Sequence, residues 1–180
     1  METNRVFLRE VEKEFARYRQ LGLLSLERMT TEQLFGAQGS QGNTAAIIVQ
    51  HLSGNMRSRW TDLLSTDGEK AWRNRDREFE PHLQTREDVL KTWEIGWDVL
   101  FGSLQDLSDE DLGRLIYIRG EAHQIREAIL RQLAHYPYHI GQLVHIAKAS
   151  ATVEWVSLSI PKGGSEAYNE AMASRHPPTV

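Results

Sequence analysis

The chain has 180 residues, enough for one domain with a sizeable core, and is 40% hydrophobic and 26% charged. Its net charge of -4 comes from 21 basic and 25 acidic residues, interleaved rather than clustered, so nothing argues for a nucleic-acid partner. It has no cysteine, which excludes disulfides, thiolate metal sites and a cysteine nucleophile, and leaves nitrogen and oxygen as the donors for any metal. The first twenty residues are charged throughout and lack an apolar run of secretory length. No stretch approaches the roughly 20 apolar residues that cross a bilayer. A cytoplasmic location with no membrane partner is the default expectation.

Four long segments show helical periodicity. The first spans about 4–27, with Val6, Phe7, Val11, Phe15, Tyr18, Leu21 and Leu24/Leu26 recurring at threes and fours. The second spans about 44–64, with Asn43 as its expected N-cap after the glycine-rich loop 36–42. A polar, arginine-rich connection follows at 66–84. Its charges alternate through Arg73, Arg75, Asp76, Arg77 and Glu78, which predicts a solvated loop. The third helix spans about 86–107, capped by Thr85 with Glu87 and Asp88 in its first turn, where negative charge suits the helix dipole. A capped turn is expected at 108–111 and a short extended piece at 114–119. The fourth helix spans about 123–150. Beyond it, 155–161 looks extended, 163–165 reads as a turn with a cap, and 165–173 as a short helix. The tail from about 174, including His176, is expected to fray.

Four helices, one short C-terminal appendage and little strand signal predict an all-α, single-domain four-helix bundle over 1–180. Trp60, Trp72, Trp93, Trp97 and Trp155 are expected as core or loop anchors. If the protein instead acts without catalysis, an exposed Trp93/Trp97 face on the third helix offers a homodimer contact.

The chemistry concentrates in the fourth helix. His135 and His139 are four residues apart, within about 40° on the helical wheel. They share a stripe with Ala128, Gln132, Gln142 and Ile146, expected to be the buried one, while His145 lies about 80° away. Pro137 between them predicts a bend, because it removes one backbone hydrogen bond. In the second helix, His51 shares a stripe with Thr44, Ile47, Asn55, Ser58 and Asp62 that turns from apolar to polar, as suits a site opening at one mouth of a bundle. Paired imidazoles on one face make half a metal site, and His51 could complete it. From the residues alone, a three-histidine metal site and a set of satisfied core histidines both stand. Asn55, Asp62, Tyr138 and Gln142 are candidates for the supporting shell or pocket wall. Glu154 is a weaker candidate base. His82, His123, His145 and His176 lack partners at ligand spacing and are expected at surfaces or caps. No phosphate loop or nucleophile elbow is present.

The order of a single histidine in the second helix (His51 in Val49-Gln50-His51-Leu52), then His135-Tyr-Pro-Tyr-His139-Ile-Gly141-Gln142 in the fourth, resembles the DinB/YfiT-like superfamily of metal-dependent enzymes. The segment Leu158-Ser159-Ile160-Pro161-Lys162-Gly163 is similar to a C-terminal segment of one uncharacterised branch. The resemblance implies an up-down-down-up four-helix bundle with His51, His135 and His139 as ligands of a divalent metal, zinc or nickel. Some members of the superfamily are thiol S-transferases and others have no established activity, so the activity the resemblance offers is transfer of a low-molecular-weight thiol cosubstrate to a small-molecule substrate. A non-catalytic metal- or ligand-binding stress protein and a metal-dependent hydrolase are the alternatives. The superfamily often carries a basic residue between the second histidine and the glycine; Ile140 stands there in this chain.

Overall fold

The computed structural model describes residues 4–37, 39–40 and 42–175. The chain is mostly helical. Its elements are α1 (Val6–Arg28), α2 (Thr31–Phe35), α3 (Ala45–Trp60), α4 (Arg86–Gln105), β1 (Leu115–Ile118), β2 (Glu121–Gln124), α5 (Ile125–Ala149) and α6 (Ser165–Arg175). It divides into two compact units between Ser150 and Ala151.

In the first unit, α1 packs on α5 and α4, and α3 packs on α4 and α5. The apolar positions recurring at threes and fours become the core, with Leu8, Val11, Phe15 and Leu26 of α1 buried against the other helices. α1 has no local side-chain cap. Its orphan amides at Phe7 and Leu8 donate instead to the Asp109 carboxylate, at 3.0 and 3.2 Å, a partner about a hundred residues away. Asp109 is presented by the expected turn, which a reciprocal Ser108/Asp111 capping box starts. Thr85 caps α4 as expected, in a capping box with Asp88. The cap of α3 is Thr44, which accepts from the Ile47 amide, and not Asn43. The short helix α2, capped by Thr30 with Gln33, was not foreseen; five residues are too few to show a period.

The Trp93/Trp97 face is not exposed. The two rings are 1% and 0% accessible and meet each other with centroids 5.5 Å apart. Trp97 also meets Phe15 at 6.3 Å and Tyr136 at 6.0 Å. Trp93 lies over Gly22 of α1, where a Cβ would collide with its six-membered ring. The α1–α4 approach thus covers the surface proposed for a homodimer. Trp60 is also buried. Trp72 is exposed, with the Arg57 guanidinium 5.4 Å from its ring centre.

The extended piece at 114–119 forms β1, and the chain then returns as β2, pairing Ile116 with His123. Arg119 and Gly120 both take positive φ, 57° and 76°, the pattern of a two-residue hairpin turn. His123 therefore belongs to β2, and α5 starts at Ile125 behind a Gln124/Glu127 capping box. α5 continues unbroken through Pro137.

In the second unit, 155–161 forms no strand, Gly163 makes the expected turn at φ 82°, and α6 follows with no buried residue. Of the tail expected to fray from about 174, Ser174 and Arg175 are the last residues of α6, and 176–180, with His176, lie outside the described residues. Among the described residues no helix is long and apolar enough to cross a membrane.

Candidate metal centre

His51 lies mid-way along α3 and is 4% exposed. His135 and His139 stand half-buried on α5 at the edge of its buried face, which runs through Gln132, Tyr136, Ile140 and Leu143. The stripe read as buried is thus shifted: Tyr136 and Ile140 enter the core, and the histidines flank them. Ile140 is 0% exposed, so the position that holds a basic residue in the resembling superfamily faces the core here.

The packing of α3 on α5 brings the three rings together, with ligand atoms all within 4.8 Å of one another. His135 Nε2 is 3.4 Å from His51 Nε2 and 3.1 Å from His139 Nε2. Each Nδ1 is directed at an acceptor. His51 Nδ1 donates to Glu78 Oε2 at 2.9 Å, His135 Nδ1 to Gln132 Oε1 at 3.2 Å, and His139 Nδ1 to Gln142 Oε1 at 3.0 Å. A neutral imidazole that donates from Nδ1 carries a lone pair on Nε2. The arrangement therefore aims three lone pairs at one point.

Protonation of His135 or His139 does not relieve that crowding near neutral pH. Burial, followed by the neighbouring His139 and His51, holds the His135 pKa down to about 3, and burial lowers that of His139. A divalent cation does relieve it. Metal–nitrogen bonds of about 2.0–2.1 Å at tetrahedral angles place ligand nitrogens roughly 3.3 Å apart, close to the two separations observed. The three histidines are a group that could hold a metal ion. Among the described residues no other such group of three comes together.

The segment read as a solvated loop is part of this site. Residues 61–84 fold back as a strap along α3, with a 3₁₀ turn at Asp76–Phe79. The Gln50 side-chain amide donates to the carbonyls of Glu78 and Glu80, both at 2.8 Å, and its oxygen accepts from the His82 amide at 3.3 Å. Gly54, one turn beyond Gln50, makes room: a Cβ there would collide with the Glu78 carboxylate. The strap's start is tied by Ser58, which donates to the Gly68 carbonyl at 2.8 Å, and by the Gly68 amide, which donates to the Tyr117 carbonyl of β1 at 2.7 Å.

Glu78 is 7% exposed. Arg73 binds it through two parallel hydrogen bonds, Nε to Oε1 at 2.7 Å and Nη2 to Oε2 at 3.0 Å, the fork geometry that orients a carboxylate. Burial pushes the Glu78 pKa up, but hydrogen bonds from His51 and Arg73 outweigh it and leave it below the ordinary value. Burial likewise opposes the charge on Arg73, and Glu78 overcomes it, raising that pKa. The chain thus builds a relay from Arg73 through Glu78 to His51, which fixes the imidazole's tautomer and ring plane. Phe79 stacks on His51 with centroids 4.9 Å apart.

The histidines open onto a cavity of about 430 Å³ whose walls include Asn55, Phe79, Tyr138 and five arginines. Of the expected supporting residues, Gln142 holds His139. Tyr138, 64% exposed, stands beside His139 with ring centres 4.9 Å apart. Asn55 lines the cavity but accepts from the Tyr136 hydroxyl at 3.1 Å rather than from a histidine. Asp62 does not join the site. α3 ends at Trp60, so the helical register that put Asp62 below His51 stops short of it, and its carbonyl accepts from Thr66. Gln132, Glu78 and Arg73 were missed. Gln132 had a signal, being three residues before His135 as Gln142 is three after His139. Glu78 and Arg73 had none, since nothing local distinguishes them from the charges around them. His82 and His145 are exposed as expected, and Glu154 is exposed in the other unit.

A comparison with curated proteins finds no match. A family model described as "Protein of unknown function (DUF1572)" matches residues 2–164, a span holding all three histidines, both glutamines and the strap, and the chain belongs to that family.

Proposed function

We propose that this protein is a divalent-metal-dependent enzyme of the DinB/YfiT-like kind, its helices α1, α3, α4 and α5 forming the four-helix bundle of that superfamily. In this reading His51, His135 and His139 hold zinc or nickel, and a low-molecular-weight thiol is transferred to a small electrophilic substrate in the adjoining cavity. One observation carries the reading: three Nε2 atoms converge while every Nδ1 is committed to an acceptor, so the chain spends three buried-edge imidazoles on a single point. Three neutral nitrogens match zinc and nickel rather than calcium or magnesium.

His51, His135 and His139 would hold the metal, which when bound would supply Lewis acidity toward a water or a thiol. The chain's own residues do the rest. Glu78, Gln132 and Gln142 fix the three imidazole planes, and Arg73 fixes Glu78. Phe79 and Tyr138 shield two of the rings, and the cavity lets a small molecule approach from one side.

The test is metal analysis of protein purified without added metal, followed by turnover. We expect stoichiometric divalent metal in the wild type and its loss in His135→Ala, because His135 Nε2 lies between the other two. Thiol consumption with a panel of epoxides and aryl halides is expected to follow metal content. Wild-type protein without metal, or His135→Ala with full occupancy, refutes the site. Electrophile consumption without thiol makes the protein a hydrolase, and tight metal binding without turnover makes it a binding protein.

A further inference from the structure

The cavity beside the histidines is lined by Arg59, Arg73, Arg75, Arg119 and Arg131, and no carboxylate shares its wall. The carboxylates nearest in the network stand behind. Glu78 is taken up by Arg73. Glu69 is shared at 3.2 Å by Arg59, Arg73 and Arg119 together. Asp67 accepts from the backbone amides of Arg119 and Gly120, at 2.8 and 2.7 Å. Five guanidinium groups against these three carboxylates leave two positive charges over, on a chain whose net charge is -4. Arg75 and Arg131 are exposed. Among the described residues neither forms an ion pair, and Arg75 only lies 5.1 Å over the Phe79 ring. Arg59 is 5% exposed, and its Nε–H is buried with no hydrogen-bond partner.

Two arginines without an ion pair, in a wall of guanidinium groups that holds no carboxylate, make a site short of an anion. We infer that the small molecule this cavity receives is a dianion, carrying carboxylate or phosphoryl groups, which the exposed Arg75 and Arg131 meet. The inference rests on the metal-site reading for the cavity's purpose, not for its charge. A nucleic-acid partner does not suit the observations: the positive charge is confined to one cavity of about 430 Å³, whereas a phosphate backbone is read by a basic stripe across a surface. Guanidinium forks suit carboxylate and phosphate equally, so the shared chemistry is the dianion itself.

The experiment is calorimetric titration of the full chain, of measured metal content, with succinate, pyrophosphate and the uncharged succinamide. Succinate or pyrophosphate is expected to bind and succinamide not. The tighter of the two identifies the carboxylate or the phosphoryl source. Affinity is expected to fall with added salt, and to fall about tenfold or more in Arg131→Glu and in Arg75→Gln, with metal content unchanged. Arg131 is exposed and pairs with nothing among the described residues, so its variant tests charge without threatening the fold. The titration is repeated after chelator treatment: dianion binding there, lost in Arg131→Glu, supports the inference even if the metal reading fails. No dianion binding to either form, equal affinity in Arg131→Glu, or equal binding of succinamide overturns it.

Discussion

Helix α5 and the strap 61–84 orient different members of one histidine cluster, and by different means: α5 holds His135 and His139, the strap His51. On α5 the support is intrahelical: Gln132 and Gln142 sit three residues from the histidines they orient, so helical geometry alone delivers the contacts. On the strap side the support is tertiary. Glu78 comes to His51 only because Gln50 holds the strap's backbone, Gly54 leaves space for the carboxylate, and Arg73 neutralises it. The glutamines are neutral and adjust by rotation about their side chains. The Arg73–Glu78 pair is charged, buried and forked, and tolerates neither a missing partner nor a shifted one. The strap should therefore be the brittle half of the site and α5 the forgiving one.

Glu78→Ala is the sharpest way to break that contrast. It takes from the buried Arg73 its forked partner and leaves it only the Glu69 carboxylate that Arg59 and Arg119 share, at a cost of about 3–5 kcal/mol, measurable by urea unfolding, and metal affinity should fall together with stability. Little loss of either would show that the strap is dispensable. Gly54→Ala comes next. The added methyl meets the Glu78 carboxylate, and overpacking of this kind costs about 1–3 kcal/mol; metal content should fall even though no ligand or acceptor has been altered. Should Gly54→Ala retain full metal, the close seating of Glu78 on α3 is not what orients His51.

Gln132→Ala and Gln142→Ala test the forgiving half. Each should weaken metal binding by about 10–100-fold, read by competition with a chromogenic chelator, while the unfolding midpoint moves far less than for Glu78→Ala. The last test is one of pH, and its effect shows only in acid. In metal-free protein the folded state holds His135 at about 3 and His139 below its ordinary value, while the unfolded chain titrates near 6.5. The unfolded state then binds more protons, so stability is fullest above about pH 6.5 and declines as pH falls toward 3. The decline should flatten in His135→Ala, and an identical pH profile in the two proteins would contradict it.

Much of the α5 half could be read in advance because its information is local. His135 and His139 announce themselves by spacing, and Gln142 by sharing their stripe. The helices α1, α4 and α5 were found within a few residues of their ends, and Thr85 was found as a cap. The errors lie where a distant segment decides. Asp62 was placed on a helix that had already ended, and Asn43 was preferred to the neighbouring Thr44. Trp93 and Trp97 are core anchors, as expected, but the exposed face given to them in the non-catalytic reading does not exist, since Gly22 of α1 makes room for Trp93 and Phe15 packs against Trp97. The alternating charges of the strap look the same whether they face water or one another.

By itself, then, the sequence determined a cysteine-free, mostly helical chain with a histidine pair on one helix and a third histidine on another, because periods of three and four residues and the donor set are properties of neighbouring positions. The tertiary structure decided that the third histidine meets the pair, that Glu78 and Arg73 stand behind it, and that five arginines share the wall beside it. Glu78 and His51 are 27 positions apart and His51 and His135 are 84 apart, and only the packing of α3 on α5, with the strap folded against α3, brings such positions within hydrogen-bonding distance.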